Sequence, residues 1–423
     1  MRAFAFAAAL AAVVACLGAS SAIPAAKPKL QLERIVVVMR HGVRSPTASP
    51  EALSKLTPQA WPAWPVAPGL LTDHGQADVR LMGDWLRADY ARRGLWPATG
   101  CPAPGAVAAW ADGGDQRTRV SGQTALDGAF PGCGLTAPHG PDDQGDGFFS
   151  ATAQGVCPID PEQARAAVMA EAKGGLDDPA LAPAKAALTR VVMGDRACTD
   201  EKACALAGSS RLKTTEDGVK LSGPLGTGAT FAENLLLEYA QGLPASEVGW
   251  GRADAAAIAQ VMPIHDAEAD LERRTPYIAT HNGAVMMHAV LAALRGQPAL
   301  PGGGVGARLT LIAGHDTNIS NLSGILGADW TLPGQPDKTP PGAALVFEVW
   351  KNAKTAERFV RVAVVYQTLE DLRGATPLTV AHPAGRVDVP VPGCADGPSG
   401  DCRLQTFASM VGARLPAECV GKL

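Results

Sequence analysis

The sequence contains no cluster of lysines and arginines: 37 basic residues stand against 41 acidic ones, and the formal net charge is −4. This charge pattern is not typical of nucleic-acid-binding proteins. Beyond the amino terminus the chain also lacks an apolar run of about 18 residues, the minimum for a membrane-spanning helix. It has no internal repeat and no CxxC or mixed Cys/His motif of the zinc-binding kind. We therefore expect a globular protein without a nucleic-acid partner or a membrane span.

The amino terminus has the pattern of an export signal. One arginine is followed by an apolar stretch and then by two small residues, Ser20 and Ala22. We therefore expect residues 1–22 to be a signal peptide and the mature protein to be periplasmic or secreted. The alternative is lipoprotein processing, because Cys16 follows the sequence Val-Val-Ala and would then become the acylated first residue.

The cysteines agree with export. Once Cys16 is set aside, an even number remains, and in an exported chain this predicts four disulfides. The remaining cysteines are Cys101, Cys133, Cys157, Cys198, Cys204, Cys394, Cys402 and Cys419.

Residues 34–46, RIVVVMRHGVRSP, contain the most informative pattern of the chain. The apolar run Ile35–Met39 has the length and the β-branched content of a buried strand, and a glycine and a proline mark the loop that follows. Arg40, His41 and Arg44 therefore lie where a strand of an α/β sheet ends, which is where such sheets bind ligands.

Arginines on both sides of a histidine suit an anion. A guanidinium group matches pairs of phosphate oxygens, and nearby positive charge lowers the pKa of a histidine, so that a ring nitrogen stays free for attack. We interpret His41 as a nucleophile in a phosphate pocket. The alternative is a basic loop that binds a structural carboxylate.

A second apolar strand, Arg308–Ile312, also ends in a charged cluster, which contains His315 and Asp316. Taken alone, this cluster would be interpreted as a turn with a helix cap. Phosphoryl transfer to a histidine, however, leaves an alkoxide that needs a proton. Asp316 would supply that proton as a general acid.

A third strand, Ala106–Trp110, is followed by the sequence ADGGDQRTR. Arg117 and Arg119 then open a helical pattern. We expect one of these arginines to close the phosphate pocket and the other to be a surface charge.

Two other motifs are weaker candidates. His265 and Asp266 form a second His-Asp pair, but they run into a helical pattern and no strand end presents them. We therefore favour His315 and Asp316. The glycine-rich stretch 222–230 has no lysine before its threonine, so we predict a turn there and not a phosphate loop.

The strand signals fall into two separated parts of the chain. Residues 28–157 and 275–423 combine strands with helical patterns, whereas residues 158–274 consist of Ala- and Leu-rich helical stretches with little strand signal. We predict an α/β domain with an α-helical domain inserted into it. Ala344–Trp350 and Phe359–Gln367 are predicted to form an antiparallel pair of strands.

The pattern RHGVRSP together with GHDTN resembles the histidine acid phosphatases, and the resemblance extends over nearly all of the mature chain. LTDHG, GWGR, RRTP, TLPGQPDKTPPG and VYQTLEDLR are similar to segments of the exported bacterial phytases and acid phosphatases. RHG alone also occurs in phosphoglycerate mutases, but the longer pattern with a distant HD is highly specific. The resemblance implies a mainly parallel central sheet flanked by helices, as in phosphoglycerate mutases, with an inserted α-helical cap domain. The disulfides that it implies are Cys101 with Cys133, Cys157 with Cys419, Cys198 with Cys204, and Cys394 with Cys402.

The resemblance also implies roles for single residues. His41 is the expected nucleophile, which becomes phosphohistidine, and Asp316 is the expected acid, which later assists water as a carboxylate. The residues expected to bind the phosphate or to line its pocket are Arg40, Arg44, Thr47, Arg117 and His315. Arg117 is thus preferred to Arg119. The resemblance implies no cofactor and no obligatory metal, and we expect a monomer.

Substrate choice is less well defined by the sequence. Ala48 stands where phytases of this group tend to have a substrate-contacting lysine, and Ala269 and Asp270 replace aromatic residues of the cap. GAFPGC and LSGPLG are closer to glucose-1-phosphatases, whereas Thr317 and TLPGQPDKTPPG favour a phytase. We expect an exported acid phosphomonoesterase acting on myo-inositol hexakisphosphate (phytate) and other organic phosphates. The alternatives are a sugar phosphatase similar to glucose-1-phosphatase and a phosphate-binding protein without catalysis.

Overall fold

The computed structural model describes Met1 and residues 29–194, 205–301 and 303–420. The predicted signal peptide beyond Met1, Cys16 and the pair Cys198 with Cys204 lie outside the described residues. Within the described part of the chain, no helix has an apolar stretch long enough to cross a bilayer.

A seven-stranded sheet forms the centre of the structure, and a two-stranded hairpin lies apart from it. The strands in chain order are β1 (Leu30–Arg40), β2 (Val107–Ala111), β3 (Arg211–Thr215), β4 (Gly218–Ser222), β5 (Leu309–Gly314), β6 (Ala344–Asn352), β7 (Arg358–Tyr366), β8 (Gly385–Asp388) and β9 (Cys402–Arg403). The central strands follow the spatial order β2-β5-β1-β6-β7-β8, and β9 also pairs with β7. The hairpin consists of β3 and β4.

The α/β class, with a sheet flanked by helices, is confirmed, and the sheet proves to be mixed. Parallel pairing is confined to β2, β5 and β1, whereas β6, β7, β8 and β9 join in antiparallel fashion. For β6 and β7 the reason is the length of the connection: only residues 353–357 separate them, and a parallel pair needs a crossover of roughly a dozen residues or more. The predicted antiparallel pair is confirmed as β6 and β7.

Helices cover both faces of the sheet. The described α-helices are α1 (Pro50–Leu53), α2 (Asp73–Arg92), α3 (Gln116–Ala129), α4 (Pro161–Glu171), α5 (Ala182–Met193), α6 (Pro224–Ala240), α7 (Ala255–Glu272), α8 (Pro276–Asn282), α9 (Ala284–Arg295), α10 (Asp316–Leu326), α11 (Leu369–Gly374) and α12 (Leu404–Gly412). Because side chains alternate along a strand, Val36 and Val38 pack against α8, α9 and α10. Ile35 and Val37 pack on the opposite face against α2 and α3. Burial on both faces explains the continuous apolar run of β1.

Residues 158–274 contain α4 to α7 and the β3–β4 hairpin. These helices pack around one apolar cluster, which also takes in Val43, Leu53, Trp61, Ile278, Leu369 and Leu372 from outside this segment. The turn predicted at 222–230 is wrong from Pro224 onward, because α6 begins there. Its glycines allow a close helix contact: a Cβ placed on Gly228 would lie 3.1 Å from Cγ2 of Ile264 on α7. The predicted boundaries of this helical domain stay a prediction.

Three disulfides join described cysteines: Cys101 with Cys133, Cys157 with Cys419, and Cys394 with Cys402. These are pairs that the resemblance implies. Cys157 and Cys419 lie 262 residues apart in the sequence. This bond ties the carboxyl-terminal segment to the end of the first α/β piece, and it closes a long loop in the unfolded chain.

Two carboxyl groups are buried without full hydrogen bonding. Neither oxygen of Asp78 on α2 has a hydrogen-bond partner among the described residues, and burial together with Asp371 raises the pKa of Asp78 to about 9. Glu238 on α6 accepts one bond from the backbone N–H of Gly249 at 2.8 Å. Burial raises the pKa of Glu238 to about 8. Both groups are therefore protonated in the folded protein at pH 7.

We predict that the free energy of unfolding falls as the pH rises from 5 to 7. The folded chain holds these two protons, whereas the unfolded chain releases them above about pH 4, so each group contributes a slope of about 1.4 kcal/mol per pH unit. In Asp78→Asn, the free energy of unfolding should depend less steeply on pH, by the contribution of one group. Urea unfolding at several pH values measures this slope. Asp84→Asn, an exposed change on the same helix, is the control. An unchanged slope in Asp78→Asn would contradict the prediction.

Candidate active site

The ends of three parallel strands bring the predicted site residues to one edge of the sheet. Arg40, at the end of β1, is in register with Gly314, at the end of β5. The backbone N–H of His41 donates to the carbonyl of Gly314 at 2.9 Å. His315 and Asp316 follow Gly314 at the start of α10. Residues that lie 275 positions apart in the sequence, 41 and 316, therefore become neighbours.

His41 is buried and its ring has a defined orientation. Nδ1 lies 2.8 Å from the carbonyl oxygen of Gly42, and since a carbonyl can only accept, Nδ1 carries the proton. Burial and the charges of Arg117 and Arg40 hold the pKa of His41 well below its ordinary value. The imidazole is therefore neutral, with the lone pair on Nε2 available for attack.

Two glycines allow a helix to pack against the loop that holds His41. A Cβ placed on Gly42 would lie 2.4 Å from the carbonyl oxygen of Gly75, and one placed on Gly75 would lie 2.1 Å from the carbonyl oxygen of Val43. Both positions thus exclude any side chain. The first turn of α2 begins beside this loop, with Thr72 as its cap.

Arg40 is fully buried and held on several sides. It donates to Asp337 at 3.0 Å, to the carbonyl oxygen of Thr339 at 2.6 Å and to Glu233 at 2.5 Å. Asp337 is itself only 1% exposed. The segment TLPGQPDKTPPG therefore has a structural task, which is to fix the guanidinium of Arg40.

Glu233 on α6 joins the arginines and was not predicted from the sequence. Its carboxylate oxygens both accept from Arg44 at 3.1 Å, and one also accepts from Arg40. Although burial opposes ionisation, Arg44 and Arg40 lower the pKa of Glu233 to about 2. The helical region thus supplies a carboxylate to the same guanidiniums that were predicted to hold phosphate.

Arg117 and Arg119 differ in their surroundings. Arg117 forms two hydrogen bonds with Asp115, at 2.6 and 2.8 Å, and donates to the carbonyl of Gly69. Thr47 borders the same glycine: a Cβ placed on Gly69 would lie 3.5 Å from Arg117 and 3.9 Å from Thr47. Arg119 bonds instead to the exposed Asp143. The two side chains are similarly exposed, at 13% for Arg117 and 15% for Arg119, so what separates them is their partners: Arg117 acts on His41, whereas Arg119 is directed to Asp143.

Three arginines of the cluster keep unused donors. The Nε–H groups of Arg40, Arg44 and Arg117 are buried and have no hydrogen-bond partner among the described residues. Buried donors normally have partners, and an unpartnered one calls for a physical explanation. Together they give the cluster unsatisfied hydrogen-bonding capacity for an anion.

His315 lies beside His41, with ring centroids 5.6 Å apart and the planes nearly perpendicular. Its Nε2 lies 2.7 Å from Asp112, the residue after β2, and 3.7 Å from Asp115. These three residues bring ligand-type atoms within 4.8 Å of one another and could hold a metal ion. The hydrogen bond between His315 and Asp112 and the ion pair between Asp115 and Arg117 explain why these side chains lie together without a metal ion.

Asp316 forms an ion pair that the sequence analysis missed. Its Oδ2 accepts from Arg273 at 2.6 Å and lies 3.9 Å from Arg40. Burial favours the neutral carboxyl, but Arg273 and Arg40 outweigh it and hold the pKa of Asp316 well below its ordinary value. Asp316 is therefore ionised in this arrangement. The expectation of a protonated acid, based on a carboxyl beside a histidine, overlooked Arg273.

His265 and Asp266 also lie closer to the site than the sequence suggested. His265 is buried on α7, and its Nε2 has no hydrogen-bond partner among the described residues. Its charge lowers the pKa of both Glu233 and Asp316. Burial raises the pKa of Asp266 to about 7. This pair therefore comes close to the site from helix α7 and not from the end of a strand.

Known proteins resemble this chain along most of its length. The model of the histidine phosphatase superfamily (branch 2) matches residues 31–365. Phytase AppA of Escherichia coli (strain K12) is 36% identical over 94% of this chain and 95% of that protein. A glucose-1-phosphatase of Salmonella typhimurium is 29% identical over 90% of this chain and 92% of that protein.

Solved structures give the same result. A Hafnia alvei phytase in complex with tartrate has a TM-score of 0.87 and 40% identity, and covers 92% of this chain and 98% of its own. The same phytase in complex with myo-inositol hexakis sulphate has a TM-score of 0.86 and 39% identity, with the same coverage. From the match over residues 31–365 and these relatives, the chain belongs to the histidine phosphatase superfamily, branch 2.

Proposed function

We propose that this chain hydrolyses phosphate monoesters through a phosphohistidine on His41. The observation that carries the proposal is a neutral, buried imidazole whose Nδ1 is fixed by the carbonyl of Gly42. The charges of Arg40, Arg44 and Arg117 act on this imidazole, and their buried Nε–H donors have no hydrogen-bond partner among the residues that the structure describes. A phosphoryl group held by these donors faces a nucleophile that needs no prior deprotonation.

In the first half of the reaction, Nε2 of His41 attacks phosphorus and the bond from phosphorus to the ester oxygen breaks. The leaving alkoxide takes a proton from the Asp316 carboxyl, which becomes a carboxylate. Arg40, Arg44, Arg117 and His315 stabilise the negative charge on the transferring group. The Nδ1–H bond to the Gly42 carbonyl stabilises the positive charge that develops on the ring.

In the second half, the Asp316 carboxylate accepts a proton from water as the water oxygen attacks phosphorus. The phosphorus–nitrogen bond breaks, inorganic phosphate leaves, and the electron pair returns to Nε2 of His41. The cycle restores both side chains and requires no metal.

We infer that phytate is among the substrates. The phytases of Escherichia coli and Hafnia alvei are similar to this chain over nearly its whole length. The Hafnia alvei enzyme binds myo-inositol hexakis sulphate, an analogue that carries six anionic groups on an inositol ring. A pocket with several guanidiniums suits a substrate of this charge.

A sugar phosphatase is the second candidate. Two glucose-1-phosphatases are 29% and 26% identical to this chain. Ala48 and Ala269 are small at positions where we expected larger, phytate-contacting side chains, so they favour this alternative.

We further propose that the protein is exported, that it acts as a monomer, and that residues 158–274 form its cap domain. Disulfides such as Cys157 with Cys419 support an oxidising compartment. The cap supplies Glu233 and Arg273 to the site, so its position beside the sheet edge bears on substrate binding.

His41→Ala should abolish turnover, because it removes the Nε2 atom that takes the phosphoryl group in the proposed mechanism. In the wild-type protein, quenching with base during turnover of a labelled phosphate ester should trap phosphate on a histidine, because the phosphorus–nitrogen bond is stable in base and labile in acid. Peptide mapping under alkaline conditions should locate it at His41. His139→Ala, outside the arginine cluster, is the control and should keep full activity. Turnover without a trapped phosphohistidine would overturn the proposed mechanism.

Asp316→Asn should affect substrates according to their leaving group. An alkyl phosphate such as glycerol 2-phosphate leaves as a strong base and needs the proton, so its kcat/KM, which reports the steps through release of the alcohol, should fall by about 100-fold or more. p-Nitrophenyl phosphate leaves as a weak base, and its kcat/KM should fall by less than about tenfold. Equal losses of kcat/KM on the two substrates would exclude Asp316 as the general acid.

The two candidate substrates can be compared directly. We expect kcat/KM for phytate to exceed that for glucose 1-phosphate by at least about tenfold at pH 5, because several substrate charges can engage the guanidiniums. Initial rates of phosphate release at equal, low substrate concentration measure this ratio. A ratio below one would favour the sugar phosphatase.

A further inference from the structure

Arg273 stands between the expected general acid and a second carboxylate. It follows the last residue of α7, and its guanidinium donates to Asp316 at 2.6 Å and to Glu268 at 3.5 Å. Its side chain is 18% exposed. It is therefore partly accessible to solvent, unlike Arg40, which is fully buried.

The ion pair with Asp316 conflicts with proton donation. A carboxylate that accepts a charge-assisted hydrogen bond of this length keeps its negative charge. The groups that face Asp316 are Arg40 from β1, His41 and Arg117 from the sheet edge, Glu233 from α6, and His265 and Arg273 from α7. The backbone N–H of Thr317, on its own helix, donates to Oδ1 at 2.9 Å. For Asp316 to donate a proton, at least one cation must withdraw.

Arg273 is the cation that can withdraw. Arg40 is fixed by Asp337 and by the Thr339 carbonyl, and moving it would leave these buried acceptors without a partner. Arg273 is partly exposed and has a second acid, Glu268, within 3.5 Å. It can leave Asp316 and keep a charged neighbour.

We propose that Arg273 binds a second anionic group of the substrate, next to the scissile phosphate, and thereby frees Asp316 to take up a proton and act as the acid. The proposal rests on the proposed function and deepens it, since it assigns a substrate class: esters that carry neighbouring phosphates. The proton comes from solvent at acid pH. Arg273 is thus a specificity residue that couples recognition of the second phosphate to proton transfer at the first.

Single-phosphate esters lack the group that draws Arg273 away. With them Asp316 stays paired, and only a small fraction of the carboxyl is protonated at a given pH. Substrates with vicinal phosphates exchange one ion pair for another, so the arginine keeps a partner throughout. The same residue then disfavours one substrate class and favours the other.

The test compares Arg273→Gln with wild type on phytate, glycerol 2-phosphate and p-nitrophenyl phosphate, with kcat and KM measured from pH 3 to 8. For phytate, kcat/KM should fall at least about tenfold. For glycerol 2-phosphate, kcat at pH 5 should rise at least about threefold, and its alkaline limb should move to higher pH. For p-nitrophenyl phosphate, kcat should change less than about twofold. Because variant and wild type are compared on the same substrate, the effect of the substrate's own ionisation on the pH profile is the same for both proteins and drops out of the comparison.

Matched variants separate this role from a structural one. Arg274→Gln changes the neighbouring arginine, which pairs with Asp270 and Asp329 and not with Asp316, and should leave all three pH profiles unchanged. Arg273→Lys keeps the charge and should retain part of the phytate activity. Thermal unfolding shows whether each variant is folded. If Arg273→Gln is folded and loses all three activities by the same factor with no shift of the limb, the inference is wrong.

The outcome for Arg273 is distinguishable from failure of the proposed function. If wild type hydrolyses none of the three esters, or if His41→Ala retains activity, the proposed function fails. If wild type is active on all three esters and Arg273→Gln changes all three activities by the same factor relative to wild type, only the proposed role of Arg273 is wrong.

Discussion

The structure depends on neutralising several guanidiniums that are gathered around one buried imidazole. Arg40, Arg44, Arg117 and Arg273 each contact at least one carboxylate. Without these acids, the cost of burying so much positive charge would exceed what packing returns. The acids differ in accessibility, since Asp337 is 1% exposed whereas Glu233 and Asp316 are each 14% exposed. Asp337 is thus a permanent partner, and the more exposed acids are those that an incoming phosphate can displace.

This charge balance unites the two hypotheses that RHGVRSP allowed. A phosphate pocket and a loop that binds structural carboxylates are the same arrangement, because the guanidinium fork accepts either anion. Arg44 illustrates this point: its Nη2 donates to both carboxylate oxygens of Glu233, and the Nε–H of Arg44 remains without a partner among the described residues. In the proposed mechanism, binding of substrate is largely an exchange of anions, and the helical region takes part in it because Glu233 belongs to that region.

The strand ends were predictable from the sequence because their signals are local. An apolar run that stops at Arg40 or before His315 shows both the strand and the edge where its charges emerge. Glu233 and Arg273 carry no such signal, since a single charge on a helix usually faces solvent, and only the tertiary contact between α6, α7 and the sheet edge reveals their partners. The antiparallel pairing of β1 with β6 joins strands that lie far apart in the sequence, and periodicity within a strand does not show it.

Acid catalysis poses an electrostatic conflict that pH alone does not resolve. The positive charge that keeps His41 neutral also keeps Asp316 ionised, since Arg40 acts on both groups. The same arginines also lower the pKa of Glu233, so lowering the pH acts on this ion pair as well as on Asp316. The negative charge of the substrate acts differently: it compensates the guanidiniums directly and so weakens their hold on Asp316. The active protonation state is therefore a property of the complex with substrate, and a polyanionic substrate produces it more completely than a single phosphate.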